Sequence, residues 1–147
     1  MSLKVKLMDD LKASMRNKDK LRKNSITMIR SAIKQKEVDE KAELTDDDVI
    51  SIISKQVKQK KDSLDDFKKG GRDDLVQQTQ LEIDILMEYL PRQLSEDELD
   101  DIIKSAIDEV GAESMKDMGK VMGKVMPQVK GKADGALVNK IAKKYLN

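Results

Sequence analysis

The chain has 147 residues, with 29 Lys and Arg against 28 Asp and Glu, for a formal net charge of +1. It contains neither Cys nor His, which removes disulfides, zinc–thiolate sites, a thiolate nucleophile and the commonest general base near neutral pH. Aromatics are only 2% of the residues and Trp is absent, so the core must be aliphatic with Met filling gaps, and the stacking platforms of many single-strand nucleic-acid binders are missing.

Apolar residues recur at spacings of three and four throughout, and there are only two prolines, Pro91 and Pro127; the fold class expected is all-α. Leu3, Leu7, Leu11 and Met15 predict a first helix. Leu21, Met28, Ile29, Ala32 and Ile33 predict a second that ends near Glu37, with a loop from Val38 to Glu43. Thr45 followed by Asp46-Asp47-Asp48 is an N-cap with acids in the first turn, where the helix dipole favours them. The third helix then carries Val49, Ile53, Val57, Leu64 and Phe67, and stops at Gly70-Gly71 after about 37 Å. A fourth carries Leu75, Thr79, Ile83, Leu86 and Leu90 and ends at Pro91; the short Gly-Gly joint makes it the antiparallel partner of the third.

Ser95-Glu96-Asp97-Glu98 reads as a capping box. It opens a fifth helix on Leu99, Ile102, Ile103, Ala106, Ile107 and Val110, closed by Gly111. Ser114 is the expected cap of a sixth, with Met115, Met118, Val121, Met122, Val125 and Met126 on its apolar face and a turn built on Pro127 and Gly131 after it. Asp134 is the expected cap of a seventh, carrying Leu137, Val138, Ile141, Tyr145 and Leu146. Residues 1–93 are thus expected to form a four-helix domain of two helical hairpins, and residues 94–147 a small three-helix domain.

The near-zero net charge hides strong segregation. Residues 1–36 hold eleven Lys/Arg against three Asp/Glu, and residues 114–147 hold eight against two. Residues 94–113 are the reverse, with one against eight. Local asymmetry of this kind makes an electrostatic footprint that the total conceals. No apolar run approaches the roughly 20 residues that a membrane span needs. The N-terminal Met1-Ser-Leu-Lys-Val-Lys has no apolar stretch of a secretory signal, so a soluble cytoplasmic protein without membrane partners is expected.

Several groups invite chemistry. Asp46, Asp47 and Asp48 offer carboxylates for a divalent ion, but neighbours on a helix point about 100° apart and cannot converge; capping accounts for them, and no metal is expected. Glu82, Asp84 and Glu88 lack a His or a nucleophile beside them and read as solvated or paired surface acids. No catalytic residue and no cofactor are assigned.

The most patterned stretch is 119–135, Gly-Lys-Val-Met-Gly-Lys-Val-Met-Pro-Gln-Val-Lys-Gly-Lys-Ala-Asp-Gly. It is not a phosphate loop of the Walker type, because neither spacing nor a preceding strand fits. Gly119 and Gly123 lie one turn apart on one helix face, at a cost of about 1 kcal/mol each in helix propensity. The plain reading is that they pack against the fifth or seventh helix. The functional reading is a flat strip, with Gly131 beyond it, that lets a partner or a phosphate backbone approach closely. Lys116, Lys120 and Lys124 form a row beside it, Lys130 and Lys132 flank Gly131, and Lys140 sits on the last helix with Lys143 and Lys144. These lysines are either a solvated face or sequence-independent phosphate contacts.

Asp117-Met-Gly-Lys-Val-Met-Gly-Lys-Val-Met-Pro and Gly131-Lys-Ala-Asp-Gly-Ala, with Met28-Ile-Arg-Ser-Ala-Ile-Lys, Gly70-Gly-Arg-Asp-Asp-Leu and Tyr89-Leu-Pro-Arg-Gln-Leu-Ser before them, resemble the YqeY-like family over essentially the whole chain. The C-terminal part is similar to the tail domain of GatB, a subunit of the glutamine-dependent tRNA amidotransferase. The resemblance implies a four-helix part followed by a GatB-tail-like three-helix part in a bacterial cytoplasmic protein. It implies a non-catalytic RNA-binding module whose partner is a tRNA or a tRNA-bound enzyme. The alternative is an accessory module docking a partner helix on the glycine strip. Carbon–nitrogen ligase activity with glutamine as donor, inherited from the amidotransferase likeness, is a third reading; the catalytic domains it would need have no counterpart here.

Overall fold

The computed structural model describes residues 2–147, and among them every regular element is helical. The helices are α1 (Leu3–Arg16), α2 (Lys20–Glu40), α3 (Asp46–Lys69), α4 (Asp73–Met87), α5 (Glu96–Val110), α6 (Met118–Val129) and α7 (Gly135–Leu146), with a 3-10 turn at Met115–Asp117. The chain divides into two compact units, Met1–Leu90 and Pro91–Asn147.

In the first unit, α1 packs on α2 and α3 on α4, giving two hairpins. Leu7, Ile26, Ile29, Val49, Ile53 and Leu86 are completely buried at its centre, each contributing about 1.5–3 kcal/mol relative to exposure. Thr45 caps α3 by accepting the Asp48 N–H, and the Asp48 carboxylate accepts the Thr45 N–H in return. Asp46 accepts the Leu3 N–H at the start of α1. The acids of this turn therefore serve capping. Gly71 turns the α3–α4 joint with φ +69°, a left-handed conformation that L side chains disfavour.

Two helix ends differ from the expected ones. Helix α2 runs on to Glu40, supported by the Gln35–Asp39 hydrogen bond and the Lys36–Glu40 ion pair one turn apart, and ends at Lys41 in the left-handed region. Helix α4 stops at Met87, short of Leu90, the residue that Pro91 disfavours in the helical region. The N–H groups of Glu88, Tyr89 and Leu90 donate three residues back, which tightens the last turn.

In the second unit, three helices supply three buried residues each: Leu99, Ile103 and Ala106; Val121, Val125 and Val129; Val138, Ala142 and Leu146. Ser95 caps α5 by accepting the Glu98 N–H, while the Glu98 carboxylate is taken up chiefly by a two-pronged contact from Arg92 at 3.0 and 2.7 Å. Ser114 caps the 3-10 turn, and Asp134 caps α7 through the Ala136 N–H. Pro127, expected to begin a turn, lies inside α6, which continues to Val129. Pro127 has no N–H to give the Gly123 carbonyl four residues back, so one helical bond is lost, and fully buried Val129 holds the helix together beyond it.

Candidate functional site

Helix α6 has a register set by Val121, Val125 and Val129, all fully buried. At about 100° per residue, Gly119, Gly123 and Pro127 come to the opposite side, and all three are exposed. A Cβ added at Gly119 or Gly123 would meet nothing within 4 Å, and neither residue has a positive φ. The expectation that these glycines pack against α5 or α7 is therefore overturned. Neither close approach within the fold nor backbone conformation explains them, although each costs the helix about 1 kcal/mol.

The bare strip has unlike borders. On one side Met126 is 38% exposed and leans on the start of α7, its Cε 3.7 Å from where a Gly135 Cβ would lie. On the other side stand Lys120 and Lys124, and Lys124 Nζ is drawn 3.0 Å from Glu109 of α5. Lys116, in the 3-10 turn, is exposed, as is Met115 beside it. Among the described residues Lys116, Lys120, Lys130, Lys132 and Lys140 form no ion pair, whereas Lys124 does. The N–H groups of Glu113, then Ser114, hold the Asp117 carboxyl below its ordinary pKa, and Lys120 adds a smaller pull in the same direction.

The structure brings Lys116, Lys120 and Lys124 onto the α6 segment with Gly119 and Gly123, and puts Lys130, Gly131 and Lys132 at its C-terminal turn. Lys140 stands apart on α7. Gly131 has a conformational reason of its own, with φ +74°. Its carbonyl accepts the Gln93 side-chain amide at 2.8 Å, and the Lys132 carbonyl accepts the Leu94 N–H at 2.8 Å. The turn that carries these two lysines is thus tied to the segment before α5.

The three acids singled out as candidates for acid–base chemistry, Glu82, Asp84 and Glu88, all have partners. Glu82 pairs with Lys60 at 2.8 Å, Asp84 accepts from Gln80, and Glu88 pairs with Arg22. Among the described residues no group of acidic side chains is arranged to hold a metal ion. Sequence reasoning missed a motif present once in each unit. Tyr89 donates to Asp10 with Lys6 over its ring, and Tyr145 donates to Asp100 with Lys104 over its ring. The one-turn spacing of each Lys–Asp pair was a usable signal, but the tyrosines lie 79 and 45 residues from their acceptors.

The model of the YqeY-like protein family matches residues 4–146. The chain belongs to the YqeY-like family. Its curated relatives include the protein named altered inheritance of mitochondria protein 41, mitochondrial. The Pyrenophora tritici-repentis form is 36% identical over 139 residues, which is 92% of this chain and 76% of that protein. The Eremothecium gossypii form is 41% identical over 85 residues, 57% of this chain and 46% of the relative. The Saccharomyces cerevisiae form is 39% identical over 95 residues, 64% and 51% respectively. The chain spans about half the length of these last two relatives.

These names correct the cytoplasmic expectation, since the relatives are called mitochondrial. The physical reason is that a search for an apolar stretch tests only secretory signals, whereas mitochondrial leaders are amphipathic, Arg- and Ser-rich and poor in acids. The bacterial setting implied by the resemblance is likewise not that of these relatives.

Proposed function

We propose that this YqeY-like chain is an RNA-associated helical module whose second unit contacts the phosphate backbone of a tRNA, free or enzyme-bound, without performing a reaction itself. The supporting observation is the bare face of α6, with Gly119 and Gly123 open to solvent and unpaired Lys116, Lys120, Lys130 and Lys132 around it. Lysines not engaged by carboxylates have their ammonium donors free for phosphate, and glycines without a Cβ let a sugar–phosphate chain lie close to the helix. The likeness of this part to the GatB tail, which helps hold tRNA in the amidotransferase, points the same way. The specificity implied is for shape and charge, because no aromatic platform is available for reading bases.

The test is a titration of the full chain with tRNA over a range of salt. Binding should weaken linearly in log–log form, with about 0.7–0.9 of slope for each phosphate engaged. Charge reversal at Lys120 and Lys132 together should flatten that slope. No binding at low salt would sink the proposal.

A second reading is favoured by Met115 and Met126, each 38% exposed beside the strip. A partner helix would use these side chains as well as the glycines. A pull-down that survives nuclease, is lost in Gly123→Leu and persists in Lys120→Glu would select it.

A further inference from the structure

The first unit contains a solvent-open cleft of about 480 Å³, lined by residues of α1 and α2. Thr27, Arg30, Ser31 and Lys34 line it from one face of α2, at spacings of three and four that place them in a row. Lys4 faces them from α1, and buried Leu7 and Ile33 form the floor. The lining holds three cations against one carboxylate, Glu37.

That carboxylate is already engaged. Glu37 pairs with Lys4 and accepts the Leu44 N–H at 2.9 Å, and these two contacts, Lys4 first, hold its pKa below the ordinary value. Arg30 is half-buried yet has no ion pair or hydrogen bond among the described residues, and neither does Lys34. The Ser31 hydroxyl is also unused, and the Thr27 hydroxyl donates to the Lys23 carbonyl, leaving its lone pairs free. Cations gathered in a concavity repel one another, and with Glu37 already held by Lys4 and the Leu44 N–H, an anion from outside the chain would offset what repulsion is left.

We propose that this cleft binds the phosphate group of a small phosphomonoester. The guanidinium of Arg30 forks onto two phosphate oxygens. Lys34 and Lys4 supply ammonium donors, with Lys4 holding Glu37 through another of its three N–H groups. Ser31 donates its hydroxyl, and the Leu7–Ile33 floor receives the apolar body of the ligand. A net lining charge of +2 matches a phosphate dianion better than a carboxylate. The volume suits a small ligand seated in an open cleft rather than a polynucleotide tracked along a surface.

The experiment is an NMR titration of the full chain with phenyl phosphate, inorganic phosphate and benzoate in parallel. Phenyl phosphate should give saturable amide shifts at Thr27, Arg30, Ser31 and Lys34, with inorganic phosphate acting weakly at the same residues and benzoate least. Arg30→Gln should weaken phenyl phosphate by about tenfold or more, Lys34→Gln should weaken it in the same direction, and Lys69→Gln, at an exposed lysine outside the cleft, should leave it unchanged. Both cleft residues are unpaired, so these variants should keep the parent's unfolding transition. Absent saturation, an equal response to benzoate, or an unchanged affinity in a folded Arg30→Gln protein would overturn the proposal. Inorganic phosphate binding as tightly as phenyl phosphate would support the phosphate contacts and assign the site to the free ion.

Discussion

Each unit fastens its helices with the same three residue types, a tyrosine donating to an aspartate while a lysine one turn away covers the ring. In the first unit Tyr89 is 4% exposed and donates to Asp10 at 2.5 Å. In the second, Tyr145 is 40% exposed and donates to Asp100 at the same distance. The pKa of both phenols is raised, but the leading cause differs: burial for Tyr89, the Asp100 hydrogen bond for Tyr145. Identical contacts thus do different work. Where water is excluded the hydroxyl must keep its acceptor; where water is present it can exchange one.

The sharpest way to break this comparison is to ask whether the two units are separate at all. Leu86 and Leu99 are both fully buried, one in each core. Leu86→Ala and Leu99→Ala should each cost about 2–5 kcal/mol. Native-state hydrogen exchange should show each loss confined to its own unit; loss of protection in both units from either variant would join the two cores into one cooperative body.

The tyrosines come next. Tyr89→Phe should cost about 1–3 kcal/mol, since it strips a half-buried carboxylate of its donor, and Tyr145→Phe less, since water can replace its hydroxyl at Asp100. Urea unfolding measures both. Because each folded pKa lies above the ordinary tyrosine value, each clasp stabilises fully below about pH 10 and is lost as pH rises through the folded value. Replacing Tyr89 should therefore flatten the alkaline limb of the stability curve more than replacing Tyr145.

Gly123→Ala should stabilise the second unit by about 0.5–1 kcal/mol, because the added methyl meets nothing. A lowered Tm would show that the face is not bare. A raised Tm with weakened tRNA binding would separate the demands of folding from those of recognition at one position. The smallest effect is at Glu98, whose carboxyl is held at about 2 by Arg92 in place of the ordinary 4.5. Its folded pKa is depressed, so its contribution is present above pH 4.5 and fades as pH falls toward 2. Glu98→Gln should slightly flatten the acid limb of urea midpoints in the second unit alone.

The helices were legible in the sequence because local signals agreed: Thr45, Ser95 and Asp134 cap where hydroxyl or carboxylate precedes an apolar period. Errors arose where a local rule met a tertiary one. Pro127 signals a stop, yet Val129 is buried and carries α6 past it. Gly119 and Gly123 signalled a packed face, and only the phase of Val121 and Val125 against the other helices reveals that the glycines point away. The cleft on α2 was illegible for another reason. Thr27, Arg30, Ser31 and Lys34 form a visible row, but Lys4 and the floor residue Leu7 come from a different helix, and sequence spacing cannot register that convergence.

The bonds from Leu94 and Gln93 to the Lys132 and Gly131 carbonyls have a consequence for recognition. They fix the backbone of the α6–α7 turn before any partner arrives, so little chain entropy remains to be surrendered there on binding. A partner docking at Lys130 and Lys132, as proposed, would meet a rigid mount bearing two exposed side chains. Engagement should slow the side-chain motion of the two lysines while leaving the exchange rate of the Leu94 amide almost where folding had set it.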